Sequence, residues 1–211
     1  MTTKIKNNVF LPGLIILFLS FSYKTPEPNG LPEKWFVAGS HPTSYKMGTD
    51  KSISKTGDYS AIIKSSVDKI TGFGTLMQRC SPDKFAGKRV KLSGYMKSEN
   101  VSGWAGLWFR VDVDTVIVSF DNMHDGKKNI SVKGSSDWKK YEIVLDVPSN
   151  STLLSYGALL SGTGQIWFDN LTFEVVNNNV ATTGFTNSCD IQNGRKPKDL
   201  KPEPYNLDFE K

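Results

Sequence analysis

Between Tyr141 and Val147 the chain alternates: Tyr141, Ile143, Leu145 and Val147 fall on one side, Glu142, Val144 and Asp146 on the other. A period of two marks a strand with one face in a core. Pro148 and the polar run Ser149-Asn150-Ser151-Thr152 break that strand, and a second apolar run follows. The turn Ser161-Gly162-Thr163-Gly164 ends it, and a third strand is predicted over Gln165–Val176. Further strand candidates are Ser60–Lys64, Gly74–Arg79, Arg89–Ser98, Ala105–Asp112 and Val116–Asn122. They are separated by turn signals at Thr56-Gly57-Asp58, Ser81-Pro82-Asp83, Glu99-Asn100, Val113-Asp114 and Asp125-Gly126. No stretch carries an amphipathic helical stripe over three turns. Short antiparallel strands at this spacing predict an all-β fold, a two-sheet antiparallel jelly-roll sandwich over residues 30–176.

The two ends of the chain differ from this middle. Lys4 and Lys6 precede the apolar run Val9–Phe21, which contains Pro12 and Gly13 and is too short to span a bilayer as a helix. That order predicts a secretory signal peptide over 1–22 and a polar, Pro-containing linker over 23–29, with an uncleaved membrane anchor as the alternative. No cysteine lies nearby, which argues against a lipoprotein. The expected location is secreted or periplasmic, with membrane contact only through the signal segment. Its removal lowers the formal charge of +5 by two, and the remaining Lys and Arg are dispersed among acidic residues. Such dispersal is a solvated surface and excludes nucleic acid as the expected partner. Cys80 and Cys189 are the only cysteines, and an exported chain is free to pair them or leave them as thiols. Residues 177–204 form an extended polar tail, after which Tyr205–Glu210 alternates again.

Candidate chemistry gathers around Trp104–Asp112. Alternation sends Leu107, Phe109 and Val111 to one face and Trp104, Trp108, Arg110 and Asp112 to the other. The first set belongs between sheets. The second combines broad apolar rings with directed polar groups, the composition of a small-molecule site. Gln78, Asp121 and Asn122 lie on neighbouring strand candidates and complete a ligand-binding set on one concave face. On this reading Trp108 can be truncated with little loss of stability. The competing reading packs Trp104 and Trp108 under loops and pairs Arg110 with Asp112 or Asp121. Catalytic residues are not predicted. His41 and His124 are the only histidines and lack metal-ligand spacing, and no nucleophile elbow, phosphate loop or zinc-protease helix occurs. Asp121, His124 and Asp125 read as a solvated turn.

Several anchors, in order, carry a resemblance: Gly30–Trp35, Lys55–Ser60, Phe85–Val90, Gly103–Trp108, Asp137-Trp138 and Gly164–Leu171. They resemble the galactose-binding-like jelly rolls found in many carbohydrate-binding modules. Gly72–Gln78, Gly103–Asp112, Phe120–Met123 and Leu160–Gly164 are similar, more narrowly, to an uncharacterised bacterial domain family often named AraC-type transcriptional regulators. No helix-turn-helix pattern occurs within these 211 residues. In the sugar-binding jelly rolls a strand like Asn206-Leu207-Asp208-Phe209-Glu210 opens the domain, ahead of a segment like Gly30–Trp35. The resemblance therefore implies that 205–211 returns as an edge strand in permuted order; the alternative is that it begins a second module. It also implies a structural calcium ion where opening strand, Gly turn and last strand meet, held by Asp169, Glu210, Thr56 and Gly57. The function implied is a non-catalytic exported binding module for a carbohydrate or similar small polar ligand. The alternatives are a structural module contacting a cell-envelope protein partner and a metabolite-sensing domain.

Overall fold

The computed structural model describes residues 27–211 and is all-β. The predicted signal segment, 1–22, and residues 23–26 of the linker lie outside the described residues. The strands are β1 Phe36–Gly39, β2 Tyr45–Asp50, β3 Ser60–Ser65, β4 Phe73–Cys80, β5 Lys88–Val113 and β6 Val116–Asp121. They continue with β7 Val132–Val147, β8 Leu153–Ser161, β9 Gln165–Val176 and the two-residue β10 Phe185–Thr186. One 3-10 turn, Pro42–Ser44, joins β1 to β2.

β5 organises the sandwich. Its first half, from Lys88 to Glu99, pairs with β7 on one side and β9 on the other, and β9 continues to β3 and β2. Its second half, from Trp104 to Val113, pairs with β8 and β6; β8 continues to β4 and β1, and β6 to β10. The expected break at Glu99-Asn100 is a bend within this strand. Asn100 takes a left-handed φ of 53°, and the register against β7 shifts between Met96 and Ala105. The extra residues let one chain leave the first sheet and enter the second.

The consecutive strands β7, β8 and β9 do not pair with one another. Each crosses the sandwich through its turn, so that β5 stands between them. Alternation then fills the space between sheets with Leu107, Phe109, Val111, Ile143, Leu145, Tyr156 and Phe168. Cys80 and Cys189 are free thiols. Burial pushes the Cys80 thiol up to about 12, which leaves it an apolar core residue.

The C-terminal segment returns to the domain, though not as an edge strand. The Leu171 N–H donates to the Leu207 carbonyl at 2.9 Å, Glu33 N–H to Lys211 O at 2.9 Å, and Trp35 Nε1 to Asn206 O at 3.0 Å. Asn206 and Phe209 have left-handed φ of 49° and 62°, so the segment folds into a compact loop. The loop is tied by Asn206 Nδ2 to Lys211 O at 2.6 Å and by Lys211 N–H to Asn206 Oδ1 at 3.0 Å. A strand needs extended backbone, and these two residues lack it. Phe209 instead plugs the core between Trp35 and Phe168, with ring centroids 5.0 and 5.1 Å away.

Candidate functional site

The outer face of the second sheet is hollow. A groove of about 710 Å³ runs across β1, β4, β8, β5 and β6, within the range of small-ligand sites. Trp104, Trp108, Arg110 and Asn122 of the expected set all line it. Trp108 forms the floor with Met77 and Leu159 and is only 7% exposed; its Nε1 donates to Thr75 Oγ1 at 2.8 Å. Burial and this hydrogen bond argue against the expectation that Trp108 can be truncated with little loss of stability. Trp104 is half-buried and stacks on His124, with centroids 4.4 Å apart and planes 21° from parallel.

Arg110 closes one end. Its Nε donates to Asp112 Oδ2 at 3.0 Å, the ion pair that the competing reading foresaw. Burial pushes the Asp112 carboxyl above the usual carboxylate range, against the opposing pull of Arg110 and then Arg79.

The other end is the loop after β6. Asn122 Oδ1 accepts the N–H groups of His124 and Asp125 at 3.0 and 2.7 Å, and its Nδ2 donates to Asp125 Oδ2 at 2.8 Å. Asp125 also meets His124 Nδ1 at 2.8 Å, and these bonds, Asn122 first, hold its carboxyl below the usual range. The loop lies directly on the strand: a Cβ at Gly106 would stand 2.7 Å from the Asn122 carbonyl oxygen. Asn122 therefore lines the groove while its side chain is committed to shaping the loop.

Two members of the predicted set lie elsewhere. Gln78 faces the core. In β4 it alternates with Phe73, Thr75, Met77 and Arg79, which line the groove, so it cannot share their face. Its amide fastens the C-terminal segment, donating to Tyr205 O and accepting Tyr205 N–H, both at 2.9 Å, and it accepts the Tyr156 hydroxyl. Asp121 is opposite Phe109 in register and is buried, and its Oδ1 accepts the Met123 N–H at 2.8 Å. It is a turn-forming residue. The sequence reading missed Phe73, Thr75, Met77, Arg79, Phe120 and Phe185. Strict odd-position parity in Phe73–Arg79 would have found the first four; Phe185, from the polar tail, gave no signal.

The four residues of the expected calcium site do converge. Asp169 Oδ2 accepts the Lys55 and Thr56 N–H groups at 2.8 and 2.9 Å, and its Oδ1 accepts Asn170 N–H at 2.6 Å. Glu210 Oε1 accepts the Asp58 and Tyr59 N–H groups at 2.9 and 3.0 Å. Gly57 has φ 62°, a left-handed backbone that glycine adopts without strain, and a Cβ there would lie 2.2 Å from Glu210 Oε1, displacing that carboxylate. The loop thus presents amide hydrogens to both carboxylates, where calcium requires oxygen donors. In this arrangement the residues do not fit the ion. Among the described residues no group of three or more His, Cys, Asp or Glu is placed to hold a metal.

The strands and the hollow outer face together make this chain a jelly-roll sandwich with an open groove on one sheet. No family model matches the chain. It is similar to a Bacillus subtilis (strain 168) protein, the uncharacterized HTH-type transcriptional regulator YbfP, at 38% identity over 205 residues. The match takes in 94% of this chain, which spans 65% of that protein's length, just under two thirds. Among solved structures, the enzymatically active domain of bacteriophage CBA120 tailspike protein 4 superposes with a TM-score of 0.50 at 14% identity. That likeness covers 68% of this chain and 20% of the tailspike chain, and it is one of fold alone. The CBM22-1 xylan-binding domain of Paenibacillus barcinonensis Xyn10C gives 0.49 at 19% identity, covering 70% and 89%.

Proposed function

We propose that this chain is an exported, non-catalytic module that binds carbohydrate in the groove of the second sheet. The observation that carries the reading is the groove itself. An indole face at Trp104, a second indole in the floor and aromatic edges at Phe73 and Phe120 enclose about 710 Å³, with a guanidinium at one end. Pyranose rings offer apolar C–H faces to aromatic rings and hydroxyls to polar groups at the rim. The apolar run Val9–Phe21 behind Lys4 and Lys6 supports export.

Affinity electrophoresis through a panel of soluble polysaccharides tests the proposal. Trp104, which is half-buried, is the residue to truncate. Loss of a central aromatic contact costs about 2 kcal/mol or more, roughly a 30-fold fall in affinity. Trp104→Ala is expected to abolish retention while the melting temperature holds. Equal retention of both proteins contradicts the proposal, and a dimer that protects the Trp104 face would assign the groove to self-association.

A second reading comes from the Bacillus subtilis relative, whose name is that of a regulator. On this second reading the groove of the present chain receives a small metabolite. Thermal stabilisation by one small compound, with no polysaccharide retained, would favour it.

A further inference from the structure

One end of the groove is more basic than a neutral sugar requires. Arg79 on β4 and Arg110 on β5 both line it, and β8 places Ser155 between them: Ser155 is the register partner of Arg79 on one side and of Arg110 on the other. Ser155 shares the face of β8 that carries Leu159 into the groove. It is fully buried, and its hydroxyl has no hydrogen-bond partner among the described residues. Arg110 commits only its Nε to Asp112, leaving both terminal nitrogens unengaged among the described residues. Arg79 is exposed, lies over the Phe36 ring at 5.6 Å and has no carboxylate partner among the described residues. Asp112, already bonded to Arg110, is the carboxylate at this end, so two guanidiniums face one anion.

Guanidinium forks recognise planar oxyanions, and their weak hydration lets them do so beside apolar surface. We infer that the groove takes an acidic polysaccharide, with a sugar carboxylate seated at the Arg79–Arg110 end and the rings of the chain running over Trp108 toward Trp104. The inference rests on the carbohydrate reading of the same groove and adds the substrate class to it. The uncommitted donors of the two arginines supply the charge complement that the aromatic floor lacks.

The test compares polygalacturonate, alginate and glucuronoxylan with their carboxyl-reduced counterparts on the full chain and on Arg79→Gln. Arg79 is the residue to change, since loss of Arg110 would strand the buried Asp112 carboxylate. A charge-assisted hydrogen bond corresponds to roughly a tenfold change in affinity. The wild type is expected to bind at least one acidic polymer about tenfold more tightly than its reduced form. Arg79→Gln should bring acidic binding down to that of the reduced polymer measured on the same variant, Arg79→Lys should keep only part of the difference, and added salt should weaken only acidic binding. Equal binding of acidic and reduced forms by the wild type overturns the inference and leaves the carbohydrate reading standing. Binding of neither form, by any polymer in the panel, removes both. Tighter binding of dextran sulfate than of every carboxylated polymer overturns the carboxylate assignment.

Discussion

Truncation of Phe209 tests whether the C-terminal segment belongs to this domain. Phe209 is 1% exposed and sits between Trp35 and Phe168, while the backbone on either side is tied to Trp35, Glu33 and Leu171. A buried Phe→Ala change costs about 3–5 kcal/mol, the transfer of the ring plus the cavity it leaves. Against a total of about 5–15 kcal/mol, that is a large share of the stability of one domain. At about 2–4 °C per kcal/mol for a chain of this size, Phe209→Ala should lower the melting temperature by roughly 6–20 °C. Calorimetry and urea titration on the same samples read this out, with an unchanged m-value if only the native contact is lost. A loss under about 1 kcal/mol would mean that Phe209 is not part of the core. The fold would then be complete by Val176, and 205–211 would be a passenger.

Other consequences follow from particular contacts. Trp108→Ala should cost about 3–5 kcal/mol by denaturant titration, since that indole is buried and hydrogen-bonded to Thr75, whereas Trp104→Ala should cost under about 1 kcal/mol. Because amide hydrogens engage Asp169 Oδ2 and Glu210 Oε1, neither EDTA nor millimolar calcium should move the melting temperature; a drop on chelation that calcium restores would contradict that arrangement. Asp125 is held below the ordinary range by Asn122 and His124. Its contribution is complete above the unfolded value of about 3.9 and is lost as pH falls through the lower folded value. Trp104 fluorescence should therefore show an acid step below about pH 4 that Asp125→Asn lacks.

How far the sequence could be read depended on how cleanly each strand separates its faces. Leu107, Phe109 and Val111 alternate with Trp104, Trp108, Arg110 and Asp112 without exception, so the face of β5 that bears the groove was legible. In β4 both faces carry apolar residues, Leu76 in the core and Phe73 and Met77 in the groove, so residue type did not say which face is which; Gln78 was assigned to the groove although its parity puts it with Leu76. Tyr205–Glu210 has strand-like alternation but left-handed backbone at Asn206 and Phe209, which residue type did not announce. The calcium expectation named residues that do converge, and the amide hydrogens that meet their carboxylates were not legible, because a backbone turn presents either carbonyls or amides and side-chain identity does not say which. β1, β2 and β10 escaped because four exposed or nearly exposed residues, a mixed YKMGTD run and a two-residue bridge carry no periodic signal.

The most direct measurement is a titration of the protein with acidic oligosaccharides, followed at the indole N–H resonances of its tryptophans. Trp35 and Trp167 are hydrogen-bonded inside the protein, to Asn206 O and Asp50 Oδ2, whereas Trp104 and Trp108 line the groove. Ligand in the groove should give saturable shifts at Trp104 and Trp108 while Trp35 and Trp167 stay in place. Binding that leaves the two groove indoles unmoved, or that shifts the core pair instead, would contradict the proposal.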